Sequence, residues 1–174
     1  MDKLSQLVAR AEIEDCLCRY ARGVDRRDWP AVRACFHEDA VDRHGEFHGT
    51  ADEFVDWVRN RHAAVPFAMH FLGNSLIDFR DENTAAVETY FIAFQRRERT
   101  AADGSVEGTD ADVFGRYVDR FERRDGGVWR IARRSVVYDS TRTQPSTNHL
   151  RKLVGVIGRR DAEDAVYMNG RAAE

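Results

Sequence analysis

Two residues in this sequence have the types and surroundings needed to share a proton. Asp25 directly follows a segment in which Leu17, Tyr20 and Val24 recur at helical spacing, so a carboxylate there is expected to face inward. His70 lies in Ala68-Met69-His70-Phe71-Leu72-Gly73-Asn74, at the start of an apolar, strand-like run, where an imidazole is at least partly buried. A carboxylate bonded to one ring nitrogen would fix the tautomer and leave the other nitrogen as a general base. It would also stabilise the imidazolium formed on proton transfer. Tyr20 shares the stripe with Asp25, and its hydroxyl needs a partner if buried. Arg134 and Tyr138 fall on one face of a later strand-like segment. Arg134 keeps its charge at any working pH, so on a cavity wall it would bind an anion or stabilise a developing one. The chemistry these residues suit is general-base proton transfer.

Each of them also has a purely structural reading. An inward Asp–His pair is one way to satisfy two buried polar groups. A strand arginine is often paired on the solvent side, and Tyr20 could be a simple core aromatic. His37, His44, His48 and His62 stand in polar stretches and are expected at the surface. Asp42, His44 and His48 only faintly suggest a metal site, in what reads as an exposed hairpin, so no metal is expected. The sequence has no Gly-rich phosphate loop, no GxSxG elbow and no CxxC pair.

Positioning these residues requires helices first and strands afterwards. Residues 3–24 show an amphipathic pattern that begins with Leu4, Leu7, Val8 and Ala11 and continues through Ile13, Leu17, Tyr20 and Val24; Gly23 marks its expected end. Asp28-Trp29-Pro30 suits the start of a second helix, with Trp29, Val32 and Phe36 buried. A short hairpin is expected from Val41 to Phe47, turning at Gly45. Thr50-Ala51-Asp52-Glu53 has the form of a capping box and opens a third helix with Phe54, Trp57 and Val58 inward. Residues 69–79, 85–98, 110–123 and 128–139 alternate like strands, separated by Arg80–Asn83, Ala102–Ser105 and Arg124–Gly127. The result is an antiparallel meander under three helices, an α+β layer with a pocket at the mouth of its curve. Trp29, Phe54, Trp57, Phe71 and Tyr138 are the expected substrate contacts.

The chain's 174 residues suit one domain, assigned to 1–142, with 143–174 as its C-terminal extension. In that extension residues 153–157 could dock on a neighbour, and the tail from Arg159 is expected to be mobile. With 43% apolar and 33% charged residues the composition is globular, and a net charge of −3 favours neither nucleic acid nor an anionic membrane. Three cysteines, no secretion signal and no run approaching about 20 apolar residues point to reduced thiols and a cytoplasmic setting.

Three stretches carry a family resemblance. They are Tyr20-Ala21-Arg22-Gly23-Val24-Asp25-Arg26-Arg27-Asp28-Trp29, then Met69-His70-Phe71-Leu72-Gly73-Asn74, then Gly115-Arg116-Tyr117 followed by Phe121 to Gly126 and Trp129-Arg130-Ile131. Over roughly residues 4–142 the chain resembles the SnoaL-like group of the NTF2-like superfamily. The resemblance implies a cone in which three N-terminal helices pack on a strongly curved antiparallel (mixed) sheet. Relatives include scytalone dehydratase, hexachlorocyclohexane dehydrochlorinase and bile acid 7α-dehydratase, all cofactor-free lyases. It places a catalytic dyad on Asp25 and His70, an active-site arginine on Arg134 or nearer Tyr138, and a catalytic tyrosine on Tyr20. The second histidine of scytalone dehydratase has no counterpart; the aligned stretch is Asp110-Ala111-Asp112-Val113. The expectation is a cofactor-independent, dehydratase-type lyase acting on a small, largely apolar molecule. An isomerase, a polyketide cyclase or a retro-aldol enzyme could use the same dyad, and a ligand-binding or assembly domain would use no catalysis. Relatives also imply a homo-oligomer, with a trimer favoured over a dimer.

Overall fold

The computed structural model describes residues 1–100, 102–104, 106–146 and 154–168. Helix α1 (Lys3–Arg26) is capped by Asp2, whose side chain accepts from the Ser5 amide. Its buried stripe runs Ala9, Ile13, Cys16, Leu17, Tyr20, Val24, the three-and-four spacing of one helix face. Leu4, Leu7 and Val8, read as the start of that stripe, are instead exposed. The helix also continues past Gly23. A Cβ on Gly23 would lie 2.8 Å from the Val32 side chain, so this glycine allows close approach of the next helix and does not end its own. The stop comes at Arg27, in the left-handed conformation.

Helix α2 (Trp29–Ala34) has Asp28 as its cap. Phe36, expected on that helix, begins strand β1 (Phe36–His44), which turns through Gly45 into β2 (Phe47–Thr50). The Thr50–Glu53 capping box is present and starts α3 (Ala51–His62). Four long strands follow: β3 (Phe67–Phe79), β4 (Thr84–Thr100), β5 (Val106–Arg123) and β6 (Trp129–Pro145). Both expected turns around Asn83 and Gly126 are seen, and part of the third, Ser105, lies outside the described residues. Strand β6 runs beyond residue 142, across the expected boundary of the main domain.

The six strands form one sheet in the order β2-β1-β6-β5-β4-β3. All neighbours are antiparallel except β1 and β6, so the sheet is mixed. Register shifts between β3 and β4 and between β5 and β6, with the extra residues on β3 and β6, bend it around α1. At one such shift a Cβ on Gly115 would meet the Val137 carbonyl at 2.3 Å, so only glycine fits. Ile13, Leu17, Tyr20 and Val24 pack against Phe36, Phe54, Tyr117 and Phe121. The described residues contain four helices, not three; the fourth is a single turn, α4 (Ala165–Met168). Val154 and Val156 of the proposed docking patch are exposed, while Leu153 lies outside the described residues. No helix among the described residues is long and apolar enough to cross a membrane.

Candidate active site

Asp25 sits in the last turn of α1, four residues after buried Ala21 on the same face, and is 7% exposed. His70 is the fourth residue of β3. Both oxygens of Asp25 serve it. His70 Nδ1 lies 2.7 Å from Oδ1, and the His70 backbone N–H donates to Oδ2 at 2.8 Å. The carboxylate can only accept, so Nδ1 carries a proton, and in the neutral ring Nε2 is the bare nitrogen. Nε2 has no protein partner among the described residues, and His70 lines an inner cavity of about 90 Å³. The end of α1 is tied down from the side: Arg27 donates to the carbonyls of His62 and Val65, both at 2.8 Å.

Tyr20, His44, Trp57, His62, Gln95 and Tyr138 are among the other lining side chains. The inner cavity opens into a vestibule of about 400 Å³, with which it shares His44, Trp57, Arg61, Arg97 and Tyr138. Tyr20 is almost fully buried, and burial holds its hydroxyl well above its ordinary pKa.

Of the residues singled out from sequence, the structure brings Asp25, His70, Tyr20, Trp57 and Tyr138 together. Four fall elsewhere. Arg134 is fully buried behind the cavity, bonded twice to Asp119 (2.8 and 2.6 Å), its guanidinium 4.2 Å from the Tyr20 ring centre and 4.0 Å from that of Tyr117. It therefore faces the core between two rings and is absent from the lining of both the inner cavity and the vestibule. Phe71 neighbours His70 on a strand, so it points to the opposite face and is 62% exposed. Phe54 lies wholly in the core against Phe36, Phe47 and Trp57. Trp29 packs edge-on against His62, outside the cavity lining.

Two histidines expected at the surface belong to the site. Burial brings both His44 and His62 down to about 3 from 6.5. His37 is buried as well, with Nε2 2.9 Å from the Glu122 carbonyl, whereas His48 is exposed as expected. His44 stacks on Phe54, with Nδ1 3.7 Å from Asp42. Asp42 is fully buried, without a hydrogen-bond partner among the described residues, and burial pushes its carboxyl up to about 7. No cluster of three or more metal-ligating side chains occurs among the described residues.

A consequence for stability can be tested. Unfolded, His44 takes up a proton below about pH 6.5; folded, it refuses one until about 3. Its contribution is thus complete above 6.5 and is lost as pH falls towards 3. A His44→Phe variant keeps the stacking and has no proton to take. Its stability, from urea midpoints across that range, should fall less steeply on acidification than wild type, by up to one proton's worth of slope.

A long helix held in a curved mixed sheet, with a pocket of mixed polar and apolar lining between them, is the NTF2-like fold. The chain belongs to the SnoaL-like domain family, whose model its sequence matches over residues 5–135. Solved structures with this fold include a candidate scytalone dehydratase from Novosphingobium aromaticivorans, 23% identical with a TM-score of 0.70, the match covering 86% of this chain and 94% of that one. A type 2 hexachlorocyclohexane dehydrochlorinase is 18% identical, also at 0.70, covering 85% and 95%. The β subunit of a candidate aromatic-ring-hydroxylating dioxygenase from N. aromaticivorans is 21% identical at 0.57, covering 79% and 93%. No curated protein sequence matches the chain.

Proposed function

We propose that this protein is a cofactor-independent lyase of the dehydratase type, acting on a small, largely apolar molecule. One observation carries the reading: Asp25 spends both oxygens on His70, which leaves Nε2 unpartnered on the cavity wall. Nε2 takes a proton from carbon. The electrons of that C–H bond form a C=C bond as the neighbouring C–O bond breaks, and the imidazolium returns its proton to the departing oxygen, which leaves as water. Asp25 holds the tautomer and stabilises the imidazolium. A positioned base of this kind contributes about 10²–10⁴-fold.

Tyr20 and Tyr138, both on the wall, are the hydroxyl donors for the oxygen that develops charge. Arg134 supports Tyr20 from behind and does not touch substrate. The inner cavity suits the reacting end of a ligand and the vestibule its body. Arg61 and Arg97 at the shared neck would meet an oxygen-rich or acidic end. Relatives of this fold named as a dehydratase and a dehydrochlorinase support elimination over the isomerase or cyclase reading. The small inner volume is the observation that favours a non-catalytic binding role.

A panel of hydroxylated and halogenated alicyclic and aromatic compounds, assayed for new conjugated absorbance and for uptake of solvent deuterium at carbon, tests the proposal. Wild type should turn over at least one member, and the same preparation of His70→Ala should not. Turnover that survives His70→Ala removes His70 from the mechanism. Binding without exchange or turnover moves the protein to the non-catalytic reading.

A further inference from the structure

Arg160 lies beyond the stretch that matches the family, in a run, Arg159-Arg160-Asp161, that reads as solvated. It is nevertheless only 9% exposed. Its guanidinium reaches the end of α1 and the far wall of the cavity. Nε donates to the Asp25 carbonyl (2.9 Å), Nη2 to the Val24 carbonyl (2.9 Å), and Nη1 to the Val65 carbonyl. Nη2 also lies 2.9 Å from His62 Nδ1. The segment carrying it is anchored on either side: Asp164 accepts from the Arg159 amide (2.7 Å) and pairs with Arg26 (3.2 Å), and the Tyr167 hydroxyl donates to Asp28 (3.1 Å). The tail expected to be mobile is anchored to the fold at Arg160, Asp164 and Tyr167.

The contact with His62 settles a proton position. Burial and neighbouring Arg27 lower Arg160 to about 10, which leaves it charged at neutral pH. A guanidinium can only donate, so His62 Nδ1 must be the acceptor, and the ring's proton sits on Nε2. Across the ring, His62 Nε2 lies 3.4 Å from the Gln95 amide nitrogen. Two donors cannot face each other, and the two ends of an amide are exchanged freely in assigning such a network. Gln95 therefore turns its oxygen to His62. Both side chains line the inner cavity with His70.

We propose that Arg160 is a positioning residue that fixes His62 as its neutral Nε2–H tautomer, which engages the Gln95 oxygen and leaves the Gln95 NH₂ as the hydrogen-bond donor on the wall of the same cavity that holds the His70 base. The catalytic use of that wall rests on the lyase reading; the tautomer does not. Charged and titratable groups facing His62 are Arg160 from the C-terminal segment, Arg61 on its own helix, His70 from β3 and His44 from β1.

Long-range ¹H–¹⁵N correlation spectra of the histidine rings test this in the full chain, because protonated and bare ring nitrogens resonate far apart. His62 should show a protonated Nε2 and a bare Nδ1 at neutral pH. In Arg160→Met, which removes the donor, it should become a mixture of tautomers and titrate at higher pH, while Arg160→Lys should restore part of the wild-type signature. Gln95→Leu should leave the tautomer unchanged, and this variant serves if Arg160→Met fails to fold. A proton on Nδ1 in wild type, an unaltered tautomer in folded Arg160→Met, or its loss in Gln95→Leu overturns the proposal. The His70 signals in the same spectra, with Nδ1 protonated and Nε2 bare, report on the proposed base independently.

Discussion

Replacing Arg134 with alanine should destabilise the fold by about 3–5 kcal/mol, the cost of breaking a buried ion pair by removing one partner. The side chains of Arg134 and Asp119 are both 0% exposed, and two hydrogen bonds at 2.8 and 2.6 Å join them. The two residues face each other in register on β6 and β5. Above and below the guanidinium lie the rings of Tyr20 and Tyr117. Alanine would strand the Asp119 carboxylate in the core, remove two cation–π contacts and leave a void between the tyrosines. For a chain of this length the melting temperature should drop on the order of 10 °C. Burying the pair is itself costly, so removing both charges as Arg134→Leu with Asp119→Leu should recover much of the loss. Thermal and urea denaturation of the two single variants and the double variant would decide. Near-wild-type stability in Arg134→Ala would mean that the arginine is accessible enough to serve as a ligand-binding cation after all.

That contrast shows where sequence reading stops. Arg134 and Tyr138 do sit on one strand, but whether an inward arginine meets ligand or core depends on Asp119, which sequence pattern alone does not pair with it. Asp25 was legible because it directly follows Val24 at the end of the buried stripe of α1, and His70 because apolar neighbours bury a strand residue. The Thr50–Glu53 box, the Asp28 cap and the Gly126 turn were legible for a similar reason: each is a local arrangement with its own geometry. His44 and His62 were not. Their neighbours, Arg43 and Gly45 in one case and Asn60 and Arg61 in the other, are polar, and their burial comes from elements far along the chain. Arg160 is the extreme case, since its partners at Val24 and Asp25 lie 136 and 135 residues away. Phe71 was a misreading of a rule already in hand: if His70 faces in, its neighbour on the strand faces out.

Asp25→Asn should lower kcat by about 10²–10⁴ with the fold intact, close to the loss expected for His70→Ala. The reason is a count of acceptors. Asp25 Oδ2 accepts the His70 backbone N–H, and Oδ1 accepts the ring Nδ1–H. Asparagine offers one oxygen and one NH₂, so one of these two donors must lose its acceptor. The backbone N–H cannot move its proton, and the imidazole can. The least costly arrangement keeps the oxygen on the backbone and turns the NH₂ to the ring, which becomes an acceptor at Nδ1 by shifting its proton to Nε2. The atom proposed as the base is then the one that carries the proton. Nothing else in the site need change: shape, volume and the contact to β3 survive, so substrate binding should fall far less than turnover. Kinetics on a substrate found by the panel, with ring ¹⁵N spectra of the variant, would separate the cases. Loss of kcat together with a proton on Nε2 ties the defect to the tautomer. Loss of kcat with the wild-type tautomer would give Asp25 an electrostatic role only, through the imidazolium it no longer stabilises. Full activity would mean that proton transfer in this cavity does not run through His70 Nε2.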